Sequence, residues 1–320
     1  MFHFFNKSLN LQLFLLLLLA GWAGWTVFTQ MTIMSPEGNM LLFQYITRIW
    51  AWNKTLVRVA VLLIILIMTV GIIQNYHKNH FADGRTYMPG VFLLLLLNSG
   101  RYLQLLTPAL LTVFFISLIM MTYEPNEQAV KMKNRIFSFG LLIATATLLD
   151  ISAFGIVLFL ILMISINNVT SFKDIVILFC GIAFPYIWAF AIAFFCNGDP
   201  IFTKSWHDLS LFVPVKSFTT LRIIDYVSLA VFVVVTFWLM FRDKRMLDNK
   251  LIVIRQAFNN VNLLFFSMLL SLWIGIIPLP YALFYLLPPI AIYMSIAVTK
   301  KRYWPVVDIM ILALCVMLWL

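Results

Sequence analysis

Six residues of this chain could carry charge or acid–base chemistry at a membrane face: Glu37, Arg48, Arg101, Asp150, His207 and Asp208. Glu37 stands in a Ser-Pro-Glu-Gly turn and is the one acid between Thr29 and Lys54. A carboxylate fixed there could take a proton from a hydroxyl, the work of a general base. Arg48 and Arg101 offer planar guanidinium forks of the kind that hold phosphate in two hydrogen bonds. His207 and Asp208 lie beside Trp206 in "NGDPIFTKSWHDLSLF". The imidazole could pass protons or bind metal, but adjacent residues point apart on a helix, which argues against joint metal ligation. Asp150 sits in "ATATLLDISAFGIVLF" and has two compatible readings. It lies at the rim of an outward-facing cavity, or it caps the helix that follows.

The elements that must position these residues follow from composition. Of 320 residues 63% are hydrophobic and 11% charged, against roughly 25% charged in a soluble domain. Apolar runs recur along the whole length, several beyond the ~18 residues that mark a membrane helix. The expected fold is all-α: a polytopic transmembrane bundle forming one integral membrane domain, with no separate soluble domain. Eleven segments can be drawn, at 12–29, 56–73, 89–99, 103–122, 136–149, 151–167, 175–196, 223–241, 261–277, 281–298 and 305–320. The first reads as an uncleaved helix, because its apolar stretch continues through Val27 and Phe28. Segments 89–99 and 136–149 are short for ~30 Å of hydrocarbon at 1.5 Å per residue. Broken or short helices survive at membrane depth where protein or a water-filled cavity satisfies the backbone, so both are candidate cavity walls. Residues 40–52 form an amphipathic pattern, with Leu42, Tyr45, Ile46, Ile49 and Trp50 at helical spacing, expected to lie in the interface.

With the N-terminus in the cytoplasm, fifteen Lys and Arg fall inside and seven outside. The clusters at 242–250 and 300–302 weigh most, and the positive-inside bias sets this orientation, with the C-terminus outside. The expected location is a bacterial inner membrane. The net charge of +10 is spread over short loops, which fits topology and anionic lipid better than nucleic acid. Cys180, Cys196 and Cys315 lie in or beside apolar spans without a C-x-x-C pair, so neither a disulfide framework nor a zinc site is indicated. Phosphate-loop, H-E-x-x-H and G-x-S-x-G signatures are absent from the sequence.

Two stretches, "GRTYMPGVFLLLLLNSGRYLQLLTPALLTVFFISLI" and 134–195 from "NRIFSFGLLIATATLLD" to "FPYIWAFAIAFF", resemble an uncharacterised family of polytopic Bacteroidetes inner-membrane proteins. That resemblance implies no function. A looser likeness is to GT-C glycosyltransferases, whose first outer loop places an acid and interfacial helices before short packed helices. Glu37 with the 40–52 helix is similar to that layout, as is Phe137–Leu149 before Asp150. The likeness implies transfer of a sugar from a polyprenyl-phosphate lipid, with Glu37 as base and Arg48 or Arg101 on the phosphate. A divalent metal ion would be the implied cofactor; no metal site is otherwise indicated. The usual second acid of that family and its large outer domain are missing. The competing expectation is a non-catalytic role: a lipid or small-molecule carrier, or an accessory subunit with membrane-protein partners in an envelope complex.

Overall fold

In a computed structural model of the chain, the described residues are 9–33, 41–81, 85–99, 103, 105–122, 129–150, 153, 155–157, 159, 161, 172–195, 233–234, 236–238, 252–273 and 279–299. They are overwhelmingly helical. In order come α1 (Leu9–Thr29), β1 (Thr32–Ile33), α2 (Leu41–Trp52), α3 (Lys54–Lys78) and α4 (Met88–Ser99). These are followed by β2 (Leu105–Leu106), α5 (Pro108–Thr122), α6 (Ala129–Leu149), α7 (Phe172–Phe195), α8 (Ile252–Trp273) and α9 (Leu279–Thr299). Segment 305–320 and most of 151–167 and 223–241 lie outside the described residues.

Three of these helices are long and apolar enough to cross a membrane: Leu9–Thr29, Lys54–Lys78 and Lys173–Ala191 within α7. Their outward faces support the same class. On α3, Val57, Val61, Ile65, Met68, Ile72 and Tyr76 are buried, while Leu56, Val59, Leu63, Leu66, Ile67 and Val70 are exposed. The two stripes run along opposite sides at helical spacing, and both are apolar. A helix hydrophobic all round belongs between protein and lipid. Phe179, Phe184, Ile187, Trp188 and Phe190 make a comparable exposed wall on α7.

The short fourth helix was expected, and α4 has 12 residues, about 18 Å at 1.5 Å per residue. Met88 through Leu97 are buried apart from the half-buried Leu95, and α1, α3 and α9 pack around it. Protein therefore surrounds the short helix, as its length requires. The other short segment, 136–149, is only the apolar part of a longer helix. α6 begins at Ala129 and takes in the preceding basic stretch, reaching 21 residues. Likewise 103–122 divides: Leu105–Leu106 pair in parallel with Thr32–Ile33, and the helix starts at Pro108. Proline suits a first helical position because its missing N–H has no partner to lose there.

Polar side chains tie the helix ends together. At one end, Gln12 Oε1 accepts from the Thr86 hydroxyl at 3.0 Å and the Tyr87 N–H at 2.8 Å. At the same end the Asn75 amide donates to the Met120 carbonyl, and Arg135 donates to that of Thr122. At the other end lie the β1–β2 pair and Arg58, whose Nη2 donates to the Met31 carbonyl at 3.4 Å.

Helices α6 and α7 run side by side in the same direction. Gly140 of α6 lies against Leu178 and Gly181 of α7, and further along the Tyr186 hydroxyl donates to Thr147 Oγ1 at 2.8 Å. A Cβ at Gly140 would stand 2.5 Å from the Leu178 carbonyl oxygen, and one at Gly181 would collide with that of Phe137. Backbone cannot move aside as a side chain can, so this seam requires glycine on both helices. Gly140→Ala and Gly181→Ala should each cost about 1–3 kcal/mol, the usual toll of overpacking, and lower the melting temperature in detergent. Gly21→Ala, where nothing lies within 4 Å of the added carbon, serves as the control and should melt near wild type. Equal melting temperatures for Gly140→Ala and Gly21→Ala would show that the seam is not this tight.

Candidate functional site

The interfacial helix expected at 40–52 is α2, Leu41–Trp52, and its polar and apolar residues segregate more sharply than in the other described helices. Phe43 and Trp50 are buried against the bundle, while Arg48, Ile49 and Trp52 are exposed. The helix packs on α3 and α6. Asn53 separates it from α3 and caps the latter, its side chain accepting from the Leu56 N–H at 3.0 Å. At that single residue the chain turns from α2 into α3, its side chain meeting the Leu56 N–H and its carbonyl the Val57 N–H.

Two guanidinium groups rest on aromatic rings here. Arg48 lies over Tyr45, 5.7 Å from the ring centroid, and Arg58 over Trp50 at 5.5 Å. Both distances fall within the range of cation–π attraction. Arg58 was counted in the sequence only as an outer charge. Nothing in its neighbourhood of Leu, Val and Ala residues announces that it folds back on Trp50, because the pairing depends on the α2–α3 turn.

Asp150 follows the last residue of α6, and it is 6% exposed. Its Oδ2 accepts a hydrogen bond from the Tyr285 hydroxyl at 2.8 Å, across 135 positions of sequence. Tyr285 itself is fully buried in α9. Three residues further on, Pro288 and Pro289 withdraw the two N–H donors that would meet the carbonyls of Phe284 and Tyr285. Asp150 also turns the backbone: its own carbonyl accepts from the Ala153 N–H at 3.0 Å. The carboxylate is thus bound into the junction of α6 and α9.

A second polar cluster, not anticipated from the sequence, lies at the opposite end. Asn75 and Asn79 are one turn apart on one face of α3, a spacing that could have drawn notice. The Asn79 amide donates to Asn75 Oδ1 at 3.2 Å, and Asn75 in turn donates to the Met120 carbonyl. Asn79 Oδ1 is buried without a hydrogen-bond partner. It borders a cavity of about 20 Å³, shared with Asn260, Phe159 and Ile119. One water needs roughly 10–15 Å³ and polar partners, so the space suits a single water that donates to Asn79.

Glu37, Arg101, His207 and Asp208 lie outside the described residues. Of the six candidates, the structure describes Arg48 on the exposed side of α2 and Asp150 in the buried junction. Among the described residues no three His, Cys, Asp or Glu side chains gather as a metal site would require. No protein family, curated protein or solved structure matches the chain. The fold and composition define a helical membrane protein with an amphipathic helix laid against its bundle.

If the Asp150–Tyr285 bond joins α6 to α9, the two residues should not act independently. Tyr285→Phe removes the hydroxyl that donates to Asp150 Oδ2 and should cost about 1–3 kcal/mol. Combining it with Asp150→Ala should cost less than the sum of the two single changes. Apparent unfolding free energies of the four proteins decide this, and strict additivity would disprove the coupling.

Proposed function

We propose that this chain is an integral inner-membrane protein of the polytopic Bacteroidetes type it resembles, acting on a lipid that carries a phosphate at the outer face. The specific activity we assign is GT-C-like transfer of a sugar from a polyprenyl-phosphate donor. The observation that supports this reading is α2: an amphipathic helix set against the bundle, with Arg48 exposed on it and aromatic rings beneath the charges. A lipid-borne substrate presents its phosphate at that level, where Arg48 or Arg101 would hold it. In the transfer step the acceptor hydroxyl oxygen bonds to the anomeric carbon of the sugar. The bond from that carbon to the phosphate oxygen breaks, and polyprenyl phosphate leaves with the electron pair. The hydroxyl proton passes to Glu37. No step is routed through a metal ion.

A second reading is a non-catalytic accessory subunit of an envelope complex, and one observation favours it. Asp150, the acid placed between two apolar segments, is closed off by Tyr285. A bundle sealed at that junction suits a scaffold better than a chamber for chemistry.

The assay is consumption of a polyprenyl-phosphate-linked sugar by the purified protein in liposomes. Glu37→Gln should slow consumption by roughly 100-fold or more, the contribution of a general base. Arg48→Gln should mainly raise the donor concentration needed for half-maximal rate. Full activity in Glu37→Gln would end the proposed role of the acid. Failure of the wild-type protein to consume any donor would leave the accessory reading.

A further inference from the structure

The proposed function names Arg48 or Arg101 for the phosphate. We propose that Arg58 shares in holding it, with Trp50 as its positioning partner; this rests on the lipid-phosphate reading above. Three observations point to Arg58. Its guanidinium is fixed in place, stacked 5.5 Å from the Trp50 ring centroid with Trp50 itself buried. Its donors are largely unspent: Nη2 makes one long bond, 3.4 Å, to the Met31 carbonyl. And its Nε is buried without a hydrogen-bond partner.

A cationic N–H withdrawn from water and left unmet is costly, more so than a neutral one. An anionic oxygen is the partner that recovers that cost, and a phosphate can take two guanidinium donors at once. The stacked ring pre-organises the fork, so little side-chain freedom remains to be lost on binding.

The surroundings fit a lipid phosphate. Lys54, exposed one turn earlier on α3, adds positive charge on the same helix. Trp52 is 84% exposed at the end of α2, as an aromatic residue at headgroup level would be. Arg48 differs in being exposed on the outer side of α2. It can attract an anion, but water already solvates it.

The test measures binding of four probes to the purified full chain by native mass spectrometry: polyprenyl phosphate, the matching polyprenol, phosphatidylglycerol and inorganic phosphate. Arg58→Gln should weaken polyprenyl phosphate by roughly tenfold or more, the value of a charged hydrogen bond, and leave polyprenol unchanged. Arg58→Lys keeps the charge without the fork and should recover only part of the affinity. Trp50→Leu should weaken the phosphate lipid and again spare the polyprenol. Melting curves identify any variant that has lost its fold; should Arg58→Gln be one, Arg58→Lys carries the test. Wild-type affinity for polyprenyl phosphate in a folded Arg58→Gln protein overturns the assignment while leaving the proposed function standing. Arg58-dependent binding of phosphatidylglycerol, with no binding of polyprenyl phosphate, would keep Arg58 as a lipid-phosphate site and end the transferase reading. Equal competition by inorganic phosphate would show that the site takes free anion, and would overturn the lipid.

Discussion

A bilayer interior offers no hydrogen bonds, so each polar group carried into it must find its partner within the protein. Eight buried Ser and Thr hydroxyls meet this demand locally. Thr26, Thr69, Thr112, Ser117, Thr147, Ser267, Ser271 and Ser295 each donate to a carbonyl three or four residues back on their own helix. Such bonds cost nothing in inter-helix geometry and specify nothing about the fold. Longer side chains reach further and decide more. Gln12 joins α1 to the start of α4, Asn75 joins α3 to α5, and Asn98 spans from α4 toward Leu19 of α1. Tyr285 does the same between α9 and the end of α6. Because an amide or phenol has to be met by a particular partner, these few ties fix which helix ends lie together.

Between those ties, lipid tails compete with side chains as apolar partners, so packing has to be won by close approach. The α6–α7 seam shows how. Gly140 and Gly181 bring backbone against backbone, and the flanking aromatics, Phe137, Phe184 and Trp188, stack edge-on in sequence along the outside. The short α4 shows the complementary solution. It is too brief to meet water at both ends, so it is wrapped by neighbours and capped at its start by Thr86, whose hydroxyl accepts from the Met88 N–H.

This division explains what could be read from the sequence. The described helices, the amphipathic α2 among them, were legible, because hydrophobicity and its helical spacing mark them. Their inward faces were not. Val61 and Leu63 are equally apolar, and only packing reveals that the first is buried and the second exposed. Helix starts were misplaced wherever polar residues are helical too, as at the beginning of α6, or where proline sets the boundary, as at Pro108. Among site residues, Asp150 was noticed for its charge, yet its partner is an unremarked tyrosine 135 positions away. Arg58 and the Asn75–Asn79 pair were passed over for the same reason. Their significance lies in what tertiary structure sets beside them.

The two ends of the bundle answer the hydrogen-bond demand with different chemistry, and the difference bears on function. At the Asn75 end Asn79 donates to Asn75 and Asn75 to the Met120 carbonyl, which leaves the Asn79 oxygen to accept, and Arg135 beside them is met by the Thr122 carbonyl. Amides are neutral and self-complementary, so this end closes on itself with room for a water. At the Trp50 end Arg48 and Arg58 rest on aromatic rings, and a guanidinium has no acceptor to offer. Aromatic faces lower the cost of holding them there, but a ring supplies no lone pair along an N–H bond. In the role proposed for Arg58, whose Nε has no hydrogen-bond partner, an anion would supply it.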